Sequence, residues 1–219
     1  MLELLSLHIP KTGGTSFQEL LRRLYGERLY VPDDSLDWDE MVRRTPTAAR
    51  AVHGHIMPRA FLSQHRDAEV VVWLRHPVAW VISYYHYWPA LAPHGNVHHD
   101  YLLEHRPSLV RFAELRLMEP LPSEYLAGVP LARVGFVGST DQFVTNALRF
   151  LAWMEKRVDP TSLATKPSSL TAADIPWLNR TEPKHASPEE VAALASILRD
   201  EITFYEELIS PRRMRTDEG

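Results

Sequence analysis

Leu4, Leu5, Leu7 and Ile9 form a short apolar run of the kind a buried strand requires. From Phe17 onward the period changes. Phe17, Leu20, Leu21, Leu24 and Tyr25 recur at helical spacing, the apolar face of an amphipathic helix. This alternation of short apolar runs and helical stripes continues down the chain. Arg28 to Val31 predicts a short strand closed by Pro32-Asp33-Asp34, and Ser35 to Arg44 a short helix capped by Ser35. Ala49 to His53 reads as a strand running into His53-Gly54-His55, followed by a short helix over Pro58–Gln64. Glu69 to Leu74 (EVVVWL) is dense in β-branched residues and is the clearest buried strand. It stops at Arg75-His76-Pro77, where Pro77 suits the first turn of an aromatic-rich helix reaching about Trp88.

Two prolines, a Gly-Asn pair and three histidines interrupt the pattern over Pro89–Asp100. Residues 101–105 and 108–118 then read as amphipathic helices. Arg133 to Val137 predicts another strand, followed by Gly138-Ser139-Thr140-Asp141, a helix to about Lys156, and a loop region from Val158 to Trp177. Ser187-Pro188-Glu189-Glu190 places a capping serine, a proline at the first helical position and a glutamate at the third. Val191, Leu194, Leu198, Ile202, Tyr205 and Ile209 give this last helix its apolar face. Strands alternating with helices predict an α/β fold of three layers, a mainly parallel sheet covered on both faces. No repeat and no linker divides the sequence, so a single domain over 1–219 is expected.

Composition narrows the function classes. A net charge of −4 disfavours broad nucleic-acid binding, so any anion site must be local. The absence of cysteine excludes disulfides, cysteine–zinc sites and a cysteine nucleophile, and fits a reducing compartment. The N-terminus enters a strand without a basic segment or long apolar run, and no stretch reaches transmembrane length, which predicts a cytoplasmic protein.

Between the first strand and helix lies Pro10-Lys11-Thr12-Gly13-Gly14-Thr15-Ser16. Adjacent glycines let the backbone turn tightly and approach a ligand. The helix start adds unpaired N–H donors and the positive end of its dipole; Lys11 adds a charge and the hydroxyls further donors. Such a turn is a socket for a phosphate-like anion, although a tight connection uses the same residues. It is not the nucleoside-triphosphate loop, because Lys11 precedes Gly13 and Gly14 instead of following them.

Parallel sheets bind ligands at the carboxyl ends of their strands. Arg75 ends one strand and Ser83 lies about two turns into the next helix, where the pair can hold a second anion. Taken alone, Arg75 is equally a salt-bridge residue and Ser83 an ordinary helix serine. His53 and His55 also follow a strand. An H-x-H pair can bind metal, but no third ligand follows at matching spacing and no metal is predicted. A histidine beside an anion cleft reads better as a general base. His94, His98 and His99 fit a solvated loop first, acceptor contact second and metal third. Tyr84, Tyr85, Tyr87 and Trp88 offer apolar faces beside that loop; Tyr84, Trp88 and His94 are therefore expected at an acceptor pocket, with at least two of the tyrosines in the core.

Together these segments resemble the PAPS-dependent sulfotransferases, most closely the group containing the heparan sulfate and uronyl 2-O-sulfotransferases. Ile9 to Phe17 (IPKTGGTSF) is similar to their 5′-phosphosulfate loop. Leu74-Arg75-His76-Pro77 through Ser83-Tyr84-Tyr85 is similar to their 3′-phosphate segment, with His76 standing where the family usually has an acidic residue. His53-Gly54-His55 resembles their HGH motif, and Phe136–Asp141 their late strand and turn. Leu178-Asn179-Arg180-Thr181 and the helix ending Phe204-Tyr205-Glu206 resemble the cofactor-closing segment.

The resemblance implies a P-loop-NTPase-like sulfotransferase fold and a sulfuryl donor, 3′-phosphoadenosine-5′-phosphosulfate, with adenosine 3′,5′-bisphosphate as product. It implies donor contacts from Lys11, Thr12, Gly13, Gly14, Thr15, Ser16, Arg75, Ser83, Arg180 and Thr181, and no metal requirement. His55 would be the base with His53 in support, and Lys11 would assist the leaving group. Residues 89–133 do not match, so the acceptor stays open, a carbohydrate or other small hydroxyl compound. A small-molecule kinase is the enzymatic alternative, and a nucleotide-binding interaction protein without activity the other.

Overall fold

The computed structural model describes residues 1–93, 95–118, 120–178 and 185–210. Five parallel strands form the central sheet: β1 (Leu4–Leu7), β2 (Leu29–Tyr30), β3 (Ala51–Gly54), β4 (Glu69–Leu74) and β5 (Val134–Ser139), in the order β2-β3-β1-β4-β5. The chain enters at the centre, builds one side with β2 and β3, then crosses to β4 and β5. The switch lies between β1 and β4, where open parallel sheets form a crevice at their carboxyl ends. The α/β class and parallel sheet expected from the alternation are both present.

The helices are α1 (Gly14–Tyr25), α2 (Trp38–Arg43), α3 (Pro58–Leu62), α4 (Pro77–Tyr87), α5 (Val97–His105), α6 (Leu109–Glu114), α7 (Pro122–Tyr125), α8 (Phe143–Arg157), α9 (Pro188–Ile197) and α10 (Arg199–Ile209). Contacts group them into two compact units. The first comprises 1–74 and 125–180 and holds the whole sheet; the second comprises 75–124 and 181–219. The units interleave in sequence, so no compositional break marks them, and the break at 89–100 falls inside the second.

In the first unit, Phe17, Leu20, Leu21 and Leu24 of α1 pack with Ala147, Phe150, Leu151 and Met154 of α8 against Leu4, Val71, Trp73 and Phe136 of the sheet. Leu5, Leu7, Val70 and Val72 point to the other face, as the two-residue period of a strand demands, and are equally buried. Each such side chain contributes about 1.5–3 kcal/mol by leaving water. In the second unit Trp80, Phe112 and Leu194 are fully buried, and α4 contacts α6, α9 and α10.

Some boundaries depart from expectation. α2 begins at Trp38, capped by Asp37, whose carboxylate accepts from the Glu40 amide at 2.7 Å; Ser35 instead donates its own amide to Asp33 at 2.9 Å. α5 starts four residues earlier than expected, because the Asn96 side chain accepts from the amides of His98 and His99. The last predicted helix bends at Leu198 (φ −96°, ψ 20°) into α9 and α10. Main-chain bonds on either side of Leu198 persist, and neither glycine nor proline announces the bend. Among the described residues no helix is long and apolar enough to cross a membrane.

Candidate functional site

The turn after β1 is built from unusual backbone. Lys11 has φ 68° and Gly13 φ 81°, both left-handed. For lysine this costs about 1–2 kcal/mol, a strain typical of ligand-gripping loops. Thr12 is buried and its hydroxyl donates to the Ile9 carbonyl at 2.8 Å, which closes the loop. The Thr12 hydroxyl is thus committed inward, unlike the outward donor anticipated from sequence, and its amide also donates to the Ile9 carbonyl, at 3.4 Å. Gly13 precedes α1 and supplies no side-chain cap, so the positive end of the helix falls at this turn. Thr15 is exposed on that first turn. Ser16 is buried, and its hydroxyl accepts the Leu178 amide at 3.0 Å, tying the loop to the segment that leads towards Arg180 and Thr181. Those two residues, like His94, lie outside the described residues.

The turn after β5 touches the same loop. A β-carbon on Gly13 would lie 3.3 Å from Thr140 Cγ2 and 3.3 Å from Phe143 Cε2. Thr140 Oγ1 is buried with no hydrogen-bond partner among the described residues.

Sheet register assembles a cluster of histidines next to it. Ser6 pairs with His53 across β1 and β3, and the His8 amide continues the pairing to the Gly54 carbonyl at 2.8 Å. Residues two apart share a face, so Ser6 and His8 meet His53 and His55. Ser6 Oγ is 2.8 Å from His53 Nδ1. The His8 ring lies 5.1 Å from that of His53 and 4.5 Å from that of His55. On its other side His8 fills the space a side chain on Gly14 would need. One imidazole therefore bridges the helix start and the two predicted histidines.

The members differ electrostatically. Burial drives the His53 pKa down to about 3, with a Gly14 main-chain bond offsetting part of it and His55 and Arg22 adding to it. Burial, then His53 and His55, drive His8 down to about 2. Both rings stay neutral near pH 7, and His53, fully buried, is engaged with Ser6. His55 is only partly covered; its Nδ1 lies 3.0 Å from Asp34 Oδ2, and its Nε2 is buried without a hydrogen-bond partner among the described residues. His53 Nε2 is likewise buried without a partner among the described residues, so the two predicted histidines differ in burial, His55 being the more exposed. Sequence reasoning missed His8 and Asp34. The position of His8 immediately before IPKTGG was a usable signal, whereas Asp34 lies 21 residues before His55 and carried none. Among the described residues no group of three histidines or carboxylates is arranged to hold a metal.

In the second unit, Arg75 and Ser83 are both partly buried, Ser83 on α4. His76 packs edge-on to Tyr205 at 5.5 Å. Tyr84 is ringed by Trp80, Trp88 and Phe112, and burial pushes its phenol up to about 12, with Tyr87 adding to the shift. Trp88 is 5% exposed, enclosed by Tyr84, His99 and Phe112. Trp88, expected at an acceptor pocket, is instead core, because His99 of α5 and Phe112 of α6 pack against its ring, whereas Tyr84 is partly buried. Tyr85 donates its hydroxyl to the Pro107 carbonyl at 2.9 Å, and Tyr87 is the exposed ring of the group. His99, expected in a solvated loop, is buried, with Nε2 donating to the Trp88 carbonyl at 3.0 Å.

No protein-family model matches the chain, and no curated protein matches it.

Proposed function

We propose that the chain is a sulfotransferase of P-loop-like fold that moves a sulfuryl group from 3′-phosphoadenosine-5′-phosphosulfate to a hydroxyl of a carbohydrate or other small acceptor. The observation that carries this reading is the His8 ring, which packs on Gly14 at the start of α1 and stands 4.5 Å from His55. It brings an anion-binding turn and a candidate base together at the ends of neighbouring strands. The strained loop over Lys11–Gly14 suits the 5′-phosphate, since its main chain supplies donors and the helix end supplies positive potential.

In the proposed reaction the acceptor oxygen bonds to sulfur as the bond from sulfur to the bridging phosphate oxygen breaks. Lys11 and the α1 amides stabilise the charge growing on that oxygen. His55 Nε2 takes the hydroxyl proton, and adenosine 3′,5′-bisphosphate leaves. Positioning and charge stabilisation supply most of the rate, as in phosphoryl transfer. Arg75 and Ser83 are assigned to the 3′-phosphate on the sequence resemblance. The kinase alternative wants a magnesium-binding acid at a strand end, whereas β4 runs directly into Arg75.

Calorimetry with adenosine 3′,5′-bisphosphate and with AMP tests the proposal. Wild type should prefer the bisphosphate, and Arg75→Ala should lose about 1.5–3 kcal/mol of that preference. Equal affinity of wild type for the two ligands would overturn it.

A further inference from the structure

Asp33 and Asp34 are adjacent carboxylates with different tasks. Asp33 Oδ1 accepts the Ser35 amide at 2.9 Å, and its carbonyl accepts the Leu36 amide at 3.1 Å, which sets the turn after β2. That turn brings Asp34 Oδ2 to 3.0 Å from His55 Nδ1. An ionised carboxylate only accepts hydrogen bonds, so Nδ1 must be the protonated nitrogen of a neutral His55 ring. The lone pair then resides on Nε2, a buried atom with no hydrogen-bond partner among the described residues. The opposite tautomer would set a lone pair against the carboxylate and bury an unpaired N–H.

We propose that Asp34 is a positioning residue that holds His55 in the Nδ1–H tautomer, so that Nε2 is the nitrogen available to receive a substrate proton. The reading of His55 as a base rests on the function proposed above. The hold of Asp34 on the ring rests on geometry alone. Asp34 is exposed and caps no helix, so its replacement leaves the core intact. The carboxylate acts on catalysis only through the imidazole it orients.

The test is ¹⁵N NMR of histidine-labelled protein at a pH where the imidazoles are neutral, with the His55 signals assigned by their loss in His55→Gln. Wild type should show Nδ1 protonated and Nε2 bare. Asp34→Ala should shift the population towards Nε2–H, and Asp34→Glu should restore part of it. With a labelled donor and a hydroxyl acceptor found by screening, Asp34→Ala should lower kcat about tenfold or more while its melting temperature is unchanged. An Nε2–H ring in wild type, or the same tautomer population in Asp34→Ala, would overturn the proposal. Calorimetry of wild type with adenosine 3′,5′-bisphosphate is run alongside; absence of binding there strikes the sulfotransferase reading and not the tautomer assignment.

Discussion

A β-carbon on Gly14 would fall 1.8 Å from Cδ2 and 2.0 Å from Nε2 of His8. No rotation of a methyl relieves an overlap of that size, so the His8 ring and a side chain at position 14 exclude each other. The second glycine of the loop is thus explained by an imidazole from the preceding strand end. The first is explained by its backbone, left-handed at φ 81°.

Gly14→Ala should displace His8 and disturb the contact with His55. The expected cost is about 1–3 kcal/mol in stability, in the range of overpacked cores. His8→Ala in the same background should recover much of that loss by vacating the space. Chemical denaturation of the single and double variants measures the coupling; strictly additive losses would show that the overlap is absorbed elsewhere.

Lys11 supplies a comparison that separates strain from charge. Lys11→Ala and Lys11→Gly both remove the ammonium, but only glycine adopts a left-handed φ freely. The glycine variant should be more stable than the alanine variant by about 1 kcal/mol. Both should slow transfer to the same extent. A more stable alanine variant would show that the φ of 68° carries no strain.

His53 and His55 should respond oppositely to removal. His53→Ala leaves buried Ser6 without its 2.8 Å partner and should cost about 1–3 kcal/mol of stability. His55→Ala should keep its melting temperature within a few degrees and bind adenosine 3′,5′-bisphosphate normally. Its kcat should fall about 10²–10⁴-fold. Near-wild-type turnover in His55→Ala would end the general-base assignment.

Acid should destabilise the fold through the histidine cluster. His8 and His53 are held at about 2 and about 3, far below the ordinary 6.5. Above pH 6.5 folded and unfolded chains both carry them neutral, and stability is at its full value. As the pH falls below 6.5 the unfolded chain takes up protons that the folded chain refuses, at up to about 1.4 kcal/mol per pH unit for each group. The loss continues down towards pH 3. Glu201, raised above 4.5 by burial despite its bonds to Ser123, acts with the opposite sign just above 4.5. Denaturation between pH 7 and 4 should show the decline, and His53→Gln should flatten it relative to its own stability at pH 7. An unchanged slope in His53→Gln would remove His53 from the account.

How much of this was legible in the sequence depends on the range of the interaction concerned. The run EVVVWL and the stripe Phe17–Tyr25 specify β4 and α1 because their hydrophobic periods are local and unambiguous. The glycines and Lys11 mark the turn for the same reason. Asp37 was passed over in favour of Ser35, since both cap well and the choice depends on where the preceding turn ends. Trp88 reads from sequence as a pocket residue because aromatic content says nothing of what folds over it; α5 and α6 decide that.

The sequence alone determined the parallel α/β plan, the glycine-rich turn before α1 and the two histidines at the end of β3, all of which rest on residues within one or two elements. Tertiary structure alone decided that His53 is buried while His55 is partly exposed, that His8 sits between the loop and His55, and that Asp34 faces Nδ1. Those relations join β1, β3 and the turn after β2. Strand register and burial set them, and neither leaves a trace in the spacing of residues along the chain.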